Sequence, residues 1–427
     1  MKPMFIVSCP IDTYSGYGAR ARDFVKALIE LDKYDVKILP QKWGQTPWGF
    51  LEDHSEWKFL ADYIMEGNQL PKQPEIWCQI TVPNEFQPIG KYNIGLTAGI
   101  ENTACDPSWI EGCNRMDIIL TSSEHSKKVF QETTYNVENK QTKQVTSQIK
   151  LEKPIEVLLE GADLNKYYEK SSTDLDLSTI DESFCYLMVG HWMQGDFGQD
   201  RKNVGYLVKA FFEAFKNKPK QPALILKTMQ VGSSIIDRER ILNKIDDIRK
   251  SVNGKLPNVY LLHGEISDTD INNLYNHPKV KVMVSFTKGE GFGRPLLEFS
   301  LTGKPIIASG WSGQVDFLQS DKSILVGGTL NNVHKSAVQK DMILEDASWF
   351  TPNDAEVAKA FRESFKHYKK FTTLAKQQKH FSKTNFSFEK MVEVLHTLLD
   401  KNIPELPKQI SLNLPKLNLP KLEKING

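Results

Sequence analysis

The stretch Ser285–Gln314 reads SFTKGEGFGRPLLEFSLTGKPIIASGWSGQ, and it decides the fold class. The overlapping apolar run VKVMVSF (Val280–Phe286) is short, rich in β-branched residues and bounded by turn residues, which predicts a buried strand. Pro295–Leu301 is predicted to form a helix that Gly303 ends, and Lys304–Ser309 the next strand. Strand, loop, helix and strand in this order are the repeating unit of a parallel α/β sheet.

The loop of this unit combines three glycines with two flanking carboxylates. Glycine lets the backbone approach a ligand closely, and amides that lead into a helix N-terminus favour an anion such as phosphate. Carboxylates accept hydrogen bonds in pairs, which suits vicinal sugar hydroxyls. The pattern therefore indicates a nucleotide-sugar site, and an ordinary βα turn with solvated glutamates is the alternative. The residues are Gly289, Gly291, Gly293, Glu290 and Glu298.

This stretch resembles the signature of the retaining glycosyltransferases of family 4, which have the GT-B fold. Their signature is Glu, seven residues and Glu around a Gly-Phe-Gly-x-Pro-x-Leu core, and here it runs from Glu290 to Glu298. The resemblance implies two Rossmann-like parallel-sheet domains facing a central cleft, with a C-terminal helix crossing back to the first domain. It also implies that Glu290 contacts the donor sugar, Glu298 the ribose, and loop amides the diphosphate. The loop residues carried over are Gly291, Phe292, Gly293 and Leu296.

Length and composition predict a soluble protein of two domains. The chain has 427 residues, more than one usual domain, and 40% of them are hydrophobic, enough for two cores. The net charge of +1 gives no global attraction to nucleic acid or membranes. The five cysteines are scattered, and no apolar run approaches the roughly 20 residues that span a bilayer. We therefore expect a cytoplasmic protein (the host cytoplasm if a phage encodes it) with no transmembrane segment.

The domain boundaries follow from changes in composition along the chain. We expect an N-terminal Rossmann-like domain on the acceptor side in residues 1–166, a linker in 167–183, and a C-terminal Rossmann-like, nucleotide-sugar-binding domain in 184–380. A crossing-back helix is expected in 381–401 and a tail in 402–427. The tail contains LNLPKLNLPK, in which proline at every fifth residue excludes a helix. It is interpreted as either a strap over an apolar groove or a mobile tail.

A second glycine-rich segment follows the first predicted strand, Met4–Ser8. Gly16 and Gly18 form Gly-x-Gly but lack the third glycine of the dinucleotide-binding spacing. Family 4 enzymes often carry such a loop facing the donor phosphates across the cleft, so the resemblance implies this role, and a simple turn is the alternative. Ser15 and Arg20 are expected to be close enough to assist in binding an anion.

Basic residues in the second domain are the predicted partners of a diphosphate. The family places a basic pair before a helix of the type Leu-Val-Lys-Ala-Phe, and Arg201 and Lys202 match it. Two cations there would offset charge that grows on the leaving group. Lys227, at the carboxyl end of a predicted strand, is a further candidate. The family reads the nucleotide base with the backbone of a loop that corresponds to Glu265 and Ile266.

No dedicated general base is expected, because enzymes of this family are thought to let a donor phosphate oxygen take the acceptor proton. Where many relatives carry a His, this chain has Glu101, which is expected to position the acceptor; a solvated loop carboxylate is the alternative. His125 is a second candidate. Nothing resembles an Asp-x-Asp metal site, so we expect no metal and no cofactor beside the donor, a UDP-sugar. The predicted catalytic set is Glu290, Glu101, Arg201 and Lys202.

The sequence leaves the acceptor and the oligomeric state open. Residues 10–20 and 99–101 resemble glycosyltransferases encoded by tailed phages, some of which are thought to glycosylate hydroxymethylcytosine in phage DNA. A DNA acceptor needs a local basic surface, which the four lysines of the polar tract 138–153 and the tail could supply. The net charge favours a polysaccharide, lipid-linked or protein acceptor instead. A catalytically inactive sugar-nucleotide-binding protein is the non-enzymatic alternative.

Overall fold

A computed structural model describes residues 2–67, 70, 72–230 and 232–405 of the chain. The repeat LNLPKLNLPK, at residues 412–421, lies outside the described residues. Neither interpretation of the tail is therefore tested, and both stay predictions.

Two six-stranded sheets, each with only parallel pairings, form the framework. We call the part built on the first sheet the first lobe (residues 2–166) and the part built on the second sheet the second lobe (residues 184–385). The central strand Ile76–Ile80 is buried along its whole length, as expected where helices cover both faces of a parallel sheet. The doubly covered parallel architecture predicted from the sequence is confirmed.

The first sheet has the strand order β2-β1-β3-β4-β5-β8. The polar tract 138–153 belongs largely to an antiparallel hairpin, β6–β7. In chain order the elements of the first lobe are β1 (Met4–Cys9), α1 (Gly16–Leu31), β2 (Asp35–Pro40), α2 (Phe50–Asp53), β3 (Ile76–Ile80), β4 (Tyr92–Leu96), α3 (Pro107–Asn114), β5 (Ile118–Thr121), α4 (Glu124–Glu132), β6 (Tyr135–Glu138), β7 (Val145–Ile149) and β8 (Ile155–Val157).

The second sheet has the strand order β11-β10-β9-β12-β13-β14. The strand–loop–helix–strand unit predicted from Ser285–Gln314 is confirmed, with bounds that differ by one or two residues. The elements are β9 (Cys185–Val189), α5 (Val204–Phe215), β10 (Ala223–Lys227), α6 (Ile235–Lys250), β11 (Val259–Leu262), α7 (Asp268–Asn276), β12 (Val280–Ser285), α8 (Arg294–Ser300), β13 (Ile306–Ser309), β14 (Ile324–Val326), β15 (Gly328–Asn332), β16 (Ser348–Pro352), α9 (Asp354–Lys366) and α10 (Tyr368–Asn385).

The last helix, α11 (Phe388–Asn402), packs on the first lobe although it follows the second. Met391, Leu395 and Leu399 recur every four residues, so they lie on one face, and they join the same core as Phe24 of α1. The crossing-back helix implied by the resemblance is confirmed. Because the chain returns in this way, the two lobes are joined at two places and their loops can face each other.

Candidate active site

Four charged side chains meet between the lobes, and we call them the Glu290 cluster: Glu101, Arg201, Lys202 and Glu290. Lys202 Nζ lies 2.6 Å from Glu290 Oε1, and Arg201 Nη1 lies 3.3 Å from Glu290 Oε2. On its other side Arg201 Nη1 lies 3.6 Å from Glu101 Oε1, which belongs to the first lobe. The structure therefore brings together all four residues of the predicted catalytic set.

The charges of the Glu290 cluster stabilise one another. Burial raises the pKa of Glu290, but the Lys202 ammonium and the Arg201 guanidinium outweigh burial and hold this pKa below its ordinary value. Burial lowers the pKa of Lys202, although the negative charge of Glu290 acts to raise it. Burial also acts to lower the pKa of Arg201, and the carboxylates of Glu101 and Glu290 reverse that effect. Glu290 is thus an anion held by two cations.

The backbone of the glycine loop is fixed by two neighbouring loops of the second lobe. The Lys288 amide donates to the carbonyl of Arg201 at 2.7 Å. The Glu290 amide donates to Ser312 Oγ at 2.9 Å, and the Gly313 amide donates to the Glu290 carbonyl at 3.0 Å. The loop after β13 therefore orients Glu290 through Ser312 Oγ and the Gly313 amide.

Two of the three glycines of this loop, Gly289 and Gly291, face the first lobe. A Cβ at Gly289 would overlap the carbonyl oxygen of Glu101, and a Cβ at Gly291 would overlap that of Ala98. Ser122 Oγ of the first lobe also donates to the Gly291 carbonyl at 3.2 Å. The sequence analysis explained these glycines by the approach of a ligand, and the structure adds a different reason: they admit the backbone that follows β4.

A second group of charged side chains lies between the lobes around Arg294, and we call it the Arg294 cluster: Asp23, Glu160, Arg294 and Glu298. Arg294 Nη1 is paired with Asp23 and lies 3.7 Å from Glu160 Oε2, both in the first lobe. Arg294 Nε lies 3.3 Å from Glu298 Oε1. Tyr275 Oη donates to the other oxygen of Glu298 at 3.4 Å. Glu298, the predicted ribose ligand, is thus held by Arg294, which occupies the variable position x in the Gly-Phe-Gly-x-Pro part of the signature.

Burial dominates the titration of Glu160 and Glu298 in the Arg294 cluster. It raises the pKa of Glu298 to about 7, although Arg294 opposes the shift. It also raises the pKa of Glu160, against the pull of Arg20 and Arg294. The pKa of Arg294 itself is raised well above its ordinary value, because the surrounding carboxylates, Asp23 first, outweigh burial. The cluster has three acids around one guanidinium.

Residues 191–338 match the sequence model of the family described as "Glycosyl transferases group 1". We call this matched segment, which lies within the second lobe, the glycosyltransferase domain. The enzyme class expected from the sequence, a glycosyltransferase, is confirmed at this level. The matched segment contains Arg201, Lys202, Lys227, Glu290 and Glu298. No curated protein matches the chain.

Solved structures share the fold over nearly the whole chain. A glycosyltransferase from Rickettsia africae has 13% identity and a TM-score of 0.62, covering 95% of this chain and 99% of that one. HepE from Anabaena, solved in complex with UDP-glucose, has 14% identity and a TM-score of 0.61, covering 93% and 100%. Sucrose-phosphate synthase from Thermosynechococcus elongatus has 14% identity and a TM-score of 0.60, covering 94% and 99%. The GT-B fold class is therefore confirmed.

The remaining site residues of the glycosyltransferase domain lie at or behind the carboxyl ends of the second sheet. Lys227 ends β10 and is buried, which lowers its pKa against the pull of nearby Glu265. Ile266, the next residue in the loop, packs on the core of the second lobe. The side chains of Phe292 and Leu296 are buried in that same core, so only their backbone groups are left for the predicted contacts with a diphosphate.

Opposite this domain, the first-lobe glycines lie in the first turn of α1 rather than in a loop. Ser15 is the N-cap, and its Oγ accepts a hydrogen bond from the Gly18 amide at 2.9 Å. A Cβ at Gly18 would overlap the carbonyl oxygen of Thr13, whereas a Cβ at Gly16 would meet nothing within 4 Å. Gly18 is therefore required for packing, and Gly16 is the more open of the two.

The expectation that Arg20 helps to bind an anion is wrong. Its side chain is buried and donates to the carbonyl oxygens of Leu158 and Leu159, with its Nη1 2.9 Å from the latter. The arginine thus closes the end of β8 against α1. A buried arginine whose partners are distant carbonyl groups has no signal in the local sequence.

His125, the other candidate of the first lobe, contacts Trp311 of the second lobe edge to face, with the ring centroids 4.6 Å apart. Burial lowers its pKa to about 4, so the imidazole is neutral near pH 7.

None of the described helices has the length and apolar composition that a membrane crossing requires. Across the described residues no group of three or more His, Cys, Asp or Glu side chains could hold a metal ion. Independence from metal stays a prediction.

Proposed function

We propose that the protein is a retaining glycosyltransferase that moves a sugar from a nucleotide-diphosphate donor, most simply a UDP-sugar, to an acceptor hydroxyl. The observation that carries the proposal is the part of the Glu290 cluster within the glycosyltransferase domain: Arg201, Lys202 and Glu290, in the loops after β9 and β12. Ligands of open α/β sheets bind at those strand ends. HepE, which shares the fold, was solved with UDP-glucose, and this supports the choice of UDP.

Arg201 and Lys202 are the proposed diphosphate ligands, and Lys227, at the carboxyl end of β10, is a further candidate. In the free protein their charge is compensated by Glu290, at 3.3 Å and 2.6 Å. When a diphosphate arrives, it takes over these cations, and Glu290 turns to the hydroxyls of the donor sugar. The bond between the anomeric carbon and the phosphate oxygen then breaks, and the two cations stabilise the charge that the leaving diphosphate acquires.

The acceptor side of the reaction is assigned to the first lobe. Glu101 lies 3.6 Å from Arg201, so it borders the proposed diphosphate site and can position an acceptor hydroxyl. That hydroxyl attacks the anomeric carbon from the face that the diphosphate leaves, and its proton goes to a phosphate oxygen of the leaving group. Glu298 accepts the ribose hydroxyls, and the backbone at Glu265 and Ile266 reads the base. Gly16 and Gly18 approach the phosphates from the first lobe.

A DNA acceptor carrying hydroxymethylcytosine is the second candidate for the acceptor. The observation that favours it is the hairpin β6–β7 with the segment after it, where Lys140, Lys143, Lys150 and Lys153 are mostly exposed. A row of exposed lysines can neutralise backbone phosphates. A polysaccharide, lipid-linked or protein acceptor is the alternative, and a gel shift with hydroxymethylcytosine DNA at increasing salt separates them. Absence of both a shift and label transfer removes the DNA acceptor.

The activity is tested by incubating the full chain with UDP-, GDP- and ADP-sugars and following hydrolysis and transfer by mass spectrometry. We expect turnover of a UDP-sugar, and we expect NMR of the product to show that the anomeric configuration of the donor is kept. An inverted product would contradict the retaining assignment. Absence of turnover with every donor, together with retained binding of UDP, would favour the catalytically inactive sugar-nucleotide-binding protein.

A further inference from the structure

Arg294 connects the two lobes through one side chain. It is the first residue of α8, after Gly293, which takes a left-handed conformation (φ 103°) that glycine adopts without strain. Glu298 follows four residues later on the same helix face, within reach of Arg294 Nε at 3.3 Å. The fork of the guanidinium points away from α8 and pairs with Asp23 of α1 in the first lobe. The sequence thus places one arginine between two carboxylates from different lobes.

We propose that Arg294 is a positioning residue that couples closure of the lobes to the orientation of the Glu298 carboxylate. The inference rests on the proposed function, in which Glu298 binds the donor ribose. Arg294 holds one oxygen of Glu298 and Tyr275 holds the other, at 3.3 Å and 3.4 Å. With both oxygens held, the carboxylate has a single orientation toward a ribose in the closed protein.

The coupling follows from what happens when the lobes separate. Asp23 and Glu160 move away with the first lobe, and Arg294 loses the partners that fix the end of its fork. Water can then replace the hydrogen bond from Arg294 to Glu298. The carboxylate loses its fixed orientation and binds a ribose less well. A nucleotide that needs Glu298 in place therefore favours the closed arrangement, and closure favours the nucleotide, because coupling between two equilibria is reciprocal.

A second ion pair between the lobes supplies the control. Lys166 Nζ lies 2.8 Å from Asp268 of the second lobe and 3.6 Å from Glu56 of the first. It connects the lobes as the pair of Arg294 with Asp23 does, but no hydrogen bond or ion pair joins it to Glu298 in the part of the chain that the structure describes. Lys166→Met therefore weakens the interface and leaves in place the two hydrogen bonds that Glu298 accepts from Arg294 and Tyr275.

The test is a double-mutant cycle on UDP binding, measured by titration calorimetry with the full chain. Asp23→Asn keeps the size of the side chain and removes its charge, and we expect it to weaken UDP binding about tenfold. Added to Glu298→Gln, the same change should have little further effect, because Asp23 acts through Glu298. Arg294→Lys, which keeps the charge and loses the fork, should behave as Asp23→Asn does, and Lys166→Met should stay within about twofold of the wild type.

The outcomes separate this inference from the proposed function. UDP binding of Asp23→Asn at the wild-type level, or additive effects in the double variant, would overturn the coupling while leaving the glycosyltransferase intact. A wild type that neither binds UDP nor turns over any donor would overturn the proposed function and this inference with it. Circular dichroism melting checks that each variant folds, and if Asp23→Asn does not fold, the comparison of Arg294→Lys with Lys166→Met decides.

Discussion

The two charge clusters between the lobes differ in balance, and the difference indicates how each can act. The Glu290 cluster has two acids and two bases, and its cations keep the pKa of Glu290 low. The Arg294 cluster has three acids around one guanidinium, and burial raises the pKa of Glu298 to about 7. The Glu290 cluster has equal numbers of positive and negative side chains, so its cations can exchange the Glu290 carboxylate for the diphosphate of a donor. An acid-rich cluster repels anions and suits neutral hydroxyl groups.

The strongest test of this difference removes the two cations of the Glu290 cluster. Arg201→Met with Lys202→Met should lower the rate of sugar transfer by about 10³-fold or more, since losing one preorganised electrostatic contact costs about 10²–10³ in kcat. The measurement is kcat and KM with the donor identified in the panel. The matched control is Lys218→Met with Lys220→Met, because both lysines are exposed just before the amino end of β10, away from the cleft. Transfer at the control rate in the first variant would mean that the cations do not serve the diphosphate.

Gly291→Ala separates the packing role of the glycine loop from its chemistry. The added Cβ would overlap the carbonyl oxygen of Ala98, so the two lobes have to move apart. Overpacking of this kind costs about 1–3 kcal/mol, which corresponds to a decrease of about 5- to 150-fold in the equilibrium constant for closure. We expect a matching fall in kcat/KM and a larger radius of gyration by X-ray scattering. Gly232→Ala is the control, since a Cβ there meets nothing within 4 Å, and equal scattering curves for the two variants would contradict the steric argument.

The sequence predicted the Glu290 cluster better than the Arg294 cluster for a physical reason. Glu290, Arg201 and Lys202 follow neighbouring strands of one sheet, and the resemblance marks each of them by a short local motif. Asp23 meets Arg294 across 271 positions of sequence, and no local pattern relates the two. Whether a glycine admits a ligand or another backbone, as at Gly291, likewise depends on what lies opposite.

The prediction of helices and strands was also limited to segments with a clear local pattern. The strands around the glycine loop were predicted almost to the residue, since apolar β-branched runs between turn residues have few alternatives. Helix α6 was not predicted, although Ile241, Ile245 and Ile248 recur at helical spacing and are its buried face. The pairing of β15 with β16 was not predicted either, because every residue of β15 is exposed and the strand has no buried face.

The raised pKa of Glu298 gives a prediction about stability and pH. A carboxyl group whose pKa rises on folding, here from 4.5 to about 7, binds its proton more tightly in the folded state. Its contribution to stability is therefore present below about pH 4.5 and is lost as the pH rises through 7. Glu298→Gln, which imitates the protonated form, should match the wild type at about pH 4 and be more stable at about pH 8, by up to ~3 kcal/mol. Denaturant unfolding at the two pH values measures this, and a difference that does not change with pH would contradict the raised pKa.

The smallest expected effect concerns α1, the helix that carries Asp23 of the Arg294 cluster. Gly16→Ala adds a methyl group in open space within a helical turn, so it should stabilise the protein by about 0.5–1 kcal/mol. Gly18→Ala drives its Cβ into the carbonyl oxygen of Thr13 and should destabilise by about 1–3 kcal/mol. Thermal unfolding measures both effects. A donor KM unchanged in Gly16→Ala would mean that this glycine only begins the helix. A KM that rises while the stability increases would mean that the backbone at Gly16 approaches the donor, as the resemblance implies, because a helix-forming substitution has no other reason to weaken donor binding.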